Sequence, residues 1–272
     1  MADVIFDGRR FSDFNVIVSG EDTWAQPTRR VTKSPIPGRH GDMIVEAGEF
    51  ENVNISYPAG IMHDFDDYNN GWEAFSQFLT RRSDAYYRLE DEYHPLYYRM
   101  ARFVPGIIPK VGTLNRSGQF TVTFDCKPQK WLKSGETEIV INSQISDLEI
   151  ENATDYWAYP EIKLTPGASL AFAVPGGYQG ESAGGIISFD AVEEPSDFAN
   201  ITYTYYTEIG EVVRDYLLYG QYPRKEYATD RLHLDGANLW IPPKTTMYVG
   251  AWATGETPPS IDIRIKPRFY TI

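Results

Sequence analysis

Short stretches of this chain alternate apolar and polar residues, which is the pattern of β-strands with one buried face. The segment from Ser117 to Pro128 is the clearest case, because every second residue from Phe120 onward is apolar. The apolar residues of this segment are Phe120, Val122, Phe124 and Cys126. We therefore predict a strand here, with Cys126 as a buried core thiol rather than a nucleophile.

One segment has helical rather than strand spacing. Trp72, Phe75 and Leu79 stand at i, i+3 and i+7, so they share one face of a predicted helix whose other face is polar. Asn69 or Asn70 is positioned to cap its first turn. Burial of the three apolar side chains is expected to contribute about 1.5–3 kcal/mol each, which makes them the predicted core of the helix. An ordinary amphipathic helix of any α+β domain fits the same pattern.

The pattern changes about halfway along the 272 residues. A polar run, KPQKWLKSGE, ends near Ser134 and Gly135, and only strand patterns follow it. These later strands are short and separated by turns rich in glycine and proline, which is typical of an antiparallel β-sandwich. The sequence therefore predicts a mainly β protein, with an α+β N-terminal domain over 1–133 and a C-terminal sandwich domain over 134–272.

The strongest backbone breakers of the first domain lie between residues 34 and 61. Pro35, Pro37 and Gly38 predict a loop and a turn, and a strand pattern returns at Phe50. Pro58 is expected to close that strand, because proline has no N–H to donate to a β-ladder.

Composition narrows the class of protein. The net charge is −13, which disfavours a basic surface that wraps nucleic acid but suits a channel through which DNA slides without adhering. Cys126 is the single cysteine, so an intrachain disulfide is excluded. The sequence has no apolar run of about 18 residues, so we predict a protein that is made in a cytosol and does not insert into a membrane.

Candidate chemistry is sparse. DFDDYNNGWE, from Asp64, has the composition of a calcium loop but not its ligand spacing, and GGYQGESAGG, from Gly176, lacks the Lys-Ser/Thr of a phosphate loop. The four histidines form no zinc motif. Asp190, Glu193 and Glu194 would serve as a glycosidase pair only if the fold held two of them across a cleft. We therefore predict no catalytic residue, no metal and no cofactor.

Three aromatic residues leave a second function open. Trp240, Tyr248 and Trp252 fall in the predicted sandwich and could form a platform on which sugar rings stack. The alternative is that they pack in the core and at the sheet edges. If they form a platform, the chain is a carbohydrate-binding module for cell-wall glycans.

Five segments, spread over nearly the whole chain, carry a family resemblance through their order and spacing. They are SPIPGRHGDMIVEAGEFENVNISYP, FLTRRSDAYYRLEDEYHPLYYRMARF, FTVTFDCKPQKW, NATDYWAYPEIKLT and IRIKPRFYTI. In this order they resemble the distal tail protein (Dit) family of bacteriophages with long, non-contractile tails. The resemblance implies a structural virion protein rather than an enzyme.

The resemblance also implies an architecture and a set of partners. It implies an N-terminal β-rich ring, or belt, domain with one helix, a galectin-like, carbohydrate-module-like C-terminal sandwich, and a homohexameric ring. Such a ring joins the tail-tube protein to the tail-tip (tape-measure-associated) and receptor-binding proteins, and DNA passes through its central channel. We therefore expect assembly in the host cytoplasm and location at the virion tail tip, with host surface glycan as a further partner under the carbohydrate-binding alternative. The last strand, 267–272, is expected either to stay with the sandwich or to pack on the ring domain.

Overall fold

The computed structural model describes residues 2–20, 23–62, 68–111, 117–175, 183–189, 197–236, 239–253 and 261–272. Their contacts separate two compact units, one that ends at Trp131 and includes Ile272, and one that covers Leu132–Thr271. Strands dominate both units, which confirms the predicted mainly β fold class. The domain limits 1–133 and 134–272, and the place of the last strand, stay predictions. Among the described residues, no helix is both long enough and apolar enough to cross a bilayer.

The first unit contains a long sheet, a separate hairpin and a helix, α1 (Tyr68–Thr80). Its strands are β1 (Val4–Phe6), β2 (Arg9–Arg10), β3 (Val16–Val18), β4 (Arg29–Pro35), β5 (Asp42–Phe50), β6 (Val53–Met62), β7 (Tyr87–Asp91), β8 (Tyr97–Phe103), β9 (Lys110–Val111) and β10 (Ser117–Leu132). In the long sheet, neighbouring strands follow the order β2-β1-β7-β8-β10-β6-β3, and β9 also pairs with β10. The strands β4 and β5 pair with each other in a two-stranded sheet.

The helix packs its apolar face into the core of the first unit. Phe75 and Leu79 are fully buried, and the ring centroid of Phe75 lies 5.0 Å from that of Phe11 and 5.8 Å from that of Phe120. Trp72 is partly buried, with its ring centroid 5.1 Å from that of Phe120. Tilted and edge-on aromatic pairs at these distances stabilise the packing beyond the burial of area. Aromatic rings therefore fix the position of α1.

Two details of the helix differ from the sequence prediction. Within the described residues the helix covers Tyr68–Thr80, so Asn69 and Asn70 lie inside it and the predicted cap is wrong. A capping residue has non-helical backbone angles, so a residue inside the helix does not cap it. Phe78 is also buried, although the prediction did not include it. It follows Phe75 by three residues, a spacing that places both side chains on one face.

Pro58 lies within β6 and does not close the strand, contrary to the prediction. The carbonyl of Pro58 accepts a hydrogen bond from the N–H of Ser19 at 2.8 Å, just beyond the end of β3 at Val18. In an antiparallel ladder, the N–H and the C=O of one residue point to the same side of the strand. The N–H that Pro58 lacks would therefore also point beyond the end of β3, so its absence does not interrupt the pairing with that strand. β6 consequently keeps its ladder with β10 from Val53 to Met62.

Cys126 is buried in β10, as predicted. Burial raises the pKa of its thiol to about 12, because the thiolate would lose its hydration, while the nearby Arg99 guanidinium opposes the shift. Tyr57 is buried close by, and its hydroxyl donates a hydrogen bond to Asp91 Oδ2 at 2.8 Å. Burial likewise raises the pKa of Tyr57 well above its ordinary value. The thiol is therefore neutral and inert in the folded protein.

We expect alkaline pH to destabilise the first unit through Cys126. Its thiol ionises near its ordinary pKa of 9.0 in the unfolded chain but near 12 in the folded chain, so unfolding releases a proton in this range. The contribution of Cys126 to the free energy of unfolding is fully present below about pH 9. Above that pH it falls by up to about 1.4 kcal/mol per pH unit. Urea unfolding between about pH 8 and pH 10 should show a weaker decline for Cys126→Val than for the natural protein. Equal declines in the two proteins would contradict this assignment.

The second unit is a sandwich of two sheets, as predicted. The two sheets contain β11 (Ile139–Ile141), β12 (Ile145–Asn152), β13 (Glu161–Leu164), β14 (Ala168–Val174), β15 (Ala183–Phe189), β16 (Phe198–Tyr206), β17 (Glu211–Leu218), β18 (Tyr222–Tyr227), β19 (Leu232–Gly236), β20 (Thr245–Ala253) and β21 (Ile263–Lys266), and the short strand β22 (Tyr270–Thr271) belongs to neither of them. The six-stranded sheet has the order β11-β21-β13-β16-β17-β18, and the five-stranded sheet has the order β12-β20-β14-β15-β19. Apolar side chains from both sheets form one core.

A buried asparagine ties the end of β12 to the neighbouring loops. Asn152 is fully buried, and its amide nitrogen donates to the carbonyls of Tyr156, Ile241 and Pro242 at 2.8, 3.0 and 3.1 Å. Its carbonyl oxygen accepts from the N–H and the hydroxyl of Thr154 at 3.1 and 2.7 Å. Asn152 also begins an Asn-X-Thr glycosylation pattern, and its side chain is engaged inside the fold.

We expect Asn152→Asp to destabilise the second unit by about 3 kcal/mol or more. A carboxylate in this position would face three carbonyl oxygens without a proton to donate, and an unsatisfied buried charge costs more than a lost neutral hydrogen bond. Urea unfolding followed by tryptophan fluorescence would measure the loss. The matched change Asn142→Asp, at an exposed position, should cost less than about 0.5 kcal/mol. Equal effects of the two changes would show that the buried network does not stabilise the unit.

Candidate functional site

The described residues bring together no group of three or more His, Cys, Asp and Glu side chains that could hold a metal ion. His94 pairs with Asp91, with its Nδ1 atom 2.9 Å from Asp91 Oδ1, and its ring centroid lies 4.4 Å from that of Trp24. The features of interest are therefore surfaces rather than clusters of reactive groups. Other sequence candidates lie outside the described residues, namely positions 63–67 and 176–182 and Asp190, Glu193 and Glu194.

The β4–β5 hairpin exposes apolar side chains. Val31, Met43, Ile44 and Val45, named here the hairpin surface, are each between 40% and 62% exposed. A two-stranded hairpin by itself is marginally stable in water, so the hairpin gains from a partner that covers these side chains. Apolar side chains that collect on one exposed element are typical of an interaction site.

The hairpin also corrects the sequence prediction for this segment. A loop and a turn were expected around Pro35 and Pro37, but β4 runs as far as Pro35 and β5 begins at Asp42. Only the short connection between them is a turn, and Gly38 and Gly41 adopt positive φ angles of 75° and 91° within it. A proline at the end of a strand that has one partner does not interrupt its ladder.

Both faces of the hairpin carry part of the hairpin surface. Successive strand residues point to opposite faces, and residues directly opposite each other share a face. By the register of β4 and β5, Val45 and Met43 lie on one face, and Ile44 and Val31 lie on the other. A partner that covers one face leaves the other face apolar, so the hairpin is suited to contacts on two sides.

A second apolar surface lies beside β3, the last strand in the order of the long sheet. A groove of about 770 Å³, named here the edge groove, is lined by parts of β3, β6 and β10 and by the segment 106–110. Ile17 and Ile108 on this groove are 38% and 82% exposed. The first unit thus has two different apolar surfaces. Head-to-tail contact between copies of one chain joins two different surfaces, one from each copy.

The three aromatic residues predicted as a sugar platform lie in two places. Tyr248 and Trp252 are on β20, four residues apart, and both point away from the core that contains Val249 and Ala251. Trp240 lies outside the strands, is 39% exposed, and donates its indole N–H to the carbonyl of Thr207 at 3.3 Å.

Trp240 has aromatic neighbours that the sequence analysis did not identify. Its ring centroid lies 6.4 Å from that of Trp157 and 5.8 Å from that of Tyr159, with both pairs edge-on. These neighbours come from a segment about eighty residues earlier, so no local sequence signal joins them to Trp240. The predicted role of Trp240, Tyr248 and Trp252 in sugar binding stays a prediction.

The fold and these surfaces define a two-unit, mainly β protein with exposed apolar surfaces. One similar solved structure is the Dit protein of phage SPP1, described as a paradigm of the hub adsorption apparatus in phages that infect Gram-positive bacteria. It matches over 100% of both chains, with a TM-score of 0.64 and 14% identity. Structures of the phage p2 baseplate in its activated conformation, with strontium and with calcium, match over 97% of both chains, with a TM-score of 0.53 and 8% identity.

The sequence itself matches no family model and no curated protein. At identities of 8% and 14%, the structural likeness establishes the fold, and it does so over the whole chain. The resemblance to the Dit family that the sequence indicated is therefore confirmed at the level of the fold.

Proposed function

We propose that this protein is a structural component of a bacteriophage virion, a homohexameric ring at the distal end of the tail. The ring joins the tail tube to the tail-tip and receptor-binding proteins and leaves a central channel for DNA. It assembles in the host cytoplasm and has no catalytic role. The observation that carries the proposal is the likeness over the full length of both chains to a protein described as a phage hub.

The two apolar surfaces of the first unit support ring formation. The hairpin surface of one copy and the edge groove of the next are different surfaces of the same unit, so their contact would be heterologous. A heterologous contact that closes on itself produces a ring and leaves no copy with an uncovered surface. Closure would also cover the edge of β3, which protects the assembly from uncontrolled strand pairing.

Charge and chemistry agree with this role. The chain carries a net charge of −13, and an acidic channel wall repels the phosphates of passing DNA rather than binding them. The two apolar faces of the hairpin suit a ring component that touches its own neighbour on one side and another tail protein on the other.

Light scattering during size-exclusion chromatography tests the assembly. One chain has a mass of 31.0 kDa, and we expect the purified protein to elute as a particle of six times that mass. Negative-stain electron microscopy of the same fraction should show rings with a central opening. A particle that stays at 31.0 kDa at every concentration, or a mass that grows without limit, would contradict a closed hexamer.

A further inference from the structure

Arg99 brings a positive charge to the core side of the first unit. It lies directly opposite Leu89 in the pairing of β7 with β8, and residues opposite each other share a sheet face. Leu89 is buried in the core, so the side chain of Arg99 points to the core side as well. A guanidinium in such a place needs hydrogen-bond acceptors, because its N–H groups lose water when they are buried.

Two contacts align β8 with its other neighbour, β10. The N–H of Val104, just beyond the end of β8, donates to the carbonyl of Thr123 at 3.0 Å. Two residues earlier on β8 and two residues later on β10, Arg102 Nε lies 2.9 Å from Asp125 Oδ2. The two strands therefore run in opposite directions, with position 102 opposite position 125.

The same alignment places a second cation beside Arg99. Three residues further along each strand in these directions, Arg99 lies opposite Pro128. Lys130 follows Pro128 by two residues on β10, so it shares the core-facing side with Pro128 and the buried Cys126. Diagonal neighbours of this kind are about 7–8 Å apart, within reach of long side chains. Arg99, Pro128 and Lys130 are all partly exposed, so a small group can reach them from solvent.

Arg99 has a donor without an acceptor. Its Nη1 atom is buried and has no hydrogen-bond partner among the described residues. Asp91 is the carboxylate whose charge acts on Arg99, but its oxygens are engaged elsewhere. Its Oδ2 accepts from the hydroxyl of Tyr57 at 2.8 Å, and its Oδ1 accepts from the backbone N–H of His94 at 2.7 Å. The described part of the chain therefore supplies a cation here without a bound anion.

The two cations also act on each other. Burial lowers the pKa of Arg99, because the guanidinium loses hydration, whereas Cys126 and Asp91 are among the groups that oppose the shift. Burial, and then the positive charge of Arg99, lower the pKa of Lys130. A negative group bound between them would relieve the repulsion and replace the lost hydration.

A carboxylate is the group that fits this pair of cations. Its two oxygens match the planar fork of a guanidinium, and one of them can also accept from a lysine ammonium. The negative charge of Asp91 acts on the same place, so the site accommodates a single added charge better than the higher charge of a phosphate.

We propose that Arg99 and Lys130 bind a carboxylate group from outside this chain. The guanidinium of Arg99 donates to the carboxylate through Nη1, and the ammonium of Lys130 holds it from the other side. The carboxylate belongs either to an acidic side chain of another protein chain or to a free organic acid. The site shares no residue with the hairpin surface or the edge groove, so the proposal does not depend on ring formation.

Saturation-transfer NMR on the full chain tests the proposal with N-acetylglutamate amide, a ligand that carries one carboxylate. N-acetylglutamine amide has the same shape without the charge and is the matched control. We expect the first to bind and the second not to bind. Arg99→Met should raise the dissociation constant of the acidic ligand at least about tenfold, because a desolvated charge pair loses one partner. Arg102→Met, on the opposite face of β8, should leave it unchanged.

The stability of Arg99→Met separates a binding residue from a purely structural one. An apolar side chain of similar length in place of a buried, unpaired charge costs the unliganded protein little or nothing. Urea unfolding without ligand should therefore give an equal or higher midpoint for Arg99→Met than for the natural protein. A clearly lower midpoint would show that Arg99 serves the fold and would overturn the proposal.

The source of the carboxylate follows from titrating both the natural protein and the double variant Ile44→Asp/Val45→Asp, whose added charges lie on the hairpin surface. Binding to the variant alone would identify a neighbouring copy as the source, because its carboxylate would already fill the site in the natural particle. Binding to both would identify another protein or a free acid. Light scattering gives the mass of each sample, so failure of the ring and failure of the site are separate results.

Three binding results would overturn the proposal. The first is no binding of the acidic ligand to either protein, and the second is equal binding of N-acetylglutamine amide. The third is tighter binding of inorganic phosphate than of the acidic ligand, which would contradict the carboxylate chemistry. A protein that fails these tests but has the mass of a hexamer retains its proposed structural role.

Discussion

Replacing Ile44 and Val45 together by aspartate is expected to convert the proposed hexameric ring into monomers of 31.0 kDa. The two residues lie on opposite faces of the hairpin and are 62% and 52% exposed in the single chain, so the monomer should fold normally. In the ring, each introduced carboxylate would be buried without a partner, which costs several kcal/mol per ion at every interface. Light scattering would measure the mass, and circular dichroism would confirm that the variant is folded.

Val140→Asp is the matched control, because Val140 is 54% exposed on an edge strand of the second unit. It adds one carboxylate at an exposed apolar strand position and should leave the proposed hexameric particle intact. If the double variant also keeps the mass of a hexamer, the hairpin is not part of the ring contact. The single changes Ile44→Asp and Val45→Asp would then show which face, if either, another tail protein covers.

Phe75→Ala is expected to reduce the free energy of unfolding of the first unit by about 3–5 kcal/mol. Phe75 is fully buried, and its ring contacts those of Phe11, Phe14 and Phe120 at centroid distances of 5.0, 5.5 and 5.8 Å. Its removal leaves a cavity between the helix and the rest of the core that these large rings cannot close. Urea unfolding, followed by tryptophan fluorescence, would give the difference.

The exposed face of the same helix provides the control. Gln77 lies on that face, and its side-chain amide donates to Glu73 at 3.2 Å in an exposed i, i+4 pair. Gln77→Ala should therefore cost less than about 0.5 kcal/mol. A loss below about 1 kcal/mol for Phe75→Ala would mean that the aromatic packing does not hold the helix in place.

The sequence predicted strands correctly where one face of the strand is buried and the other is exposed to solvent. Ser117–Pro128 alternates clearly because β10 has a core face, and the prediction falls short only at the end, where the strand continues to Leu132. Most short strands of the sandwich were predicted for the same reason. The apolar pattern of Leu239–Ile241 also predicts a short strand, but Ile241 forms only an isolated bridge with Ala158.

The hairpin was missed because it lacks a buried face within the single chain. Its two faces mix apolar and charged residues, so no alternation marks them, and Pro35 and Pro37 suggested a loop instead. The six-stranded sheet also has a hollow of about 310 Å³, which the sequence analysis missed for another reason. Its lining residues lie between Lys163 and Arg264, about one hundred positions apart, and only the strand order brings them together.

The inert thiol of Cys126 makes the natural chain a convenient starting point for chemical labelling. Because this single cysteine is buried and its pKa is about 12, maleimide reagents at neutral pH should leave it untouched. One cysteine introduced at an exposed position outside the proposed ring contact, such as Val140, would then be the sole reactive site, without any prior substitution of the native residue. A fluorophore attached there would report, through self-quenching, when neighbouring copies come together.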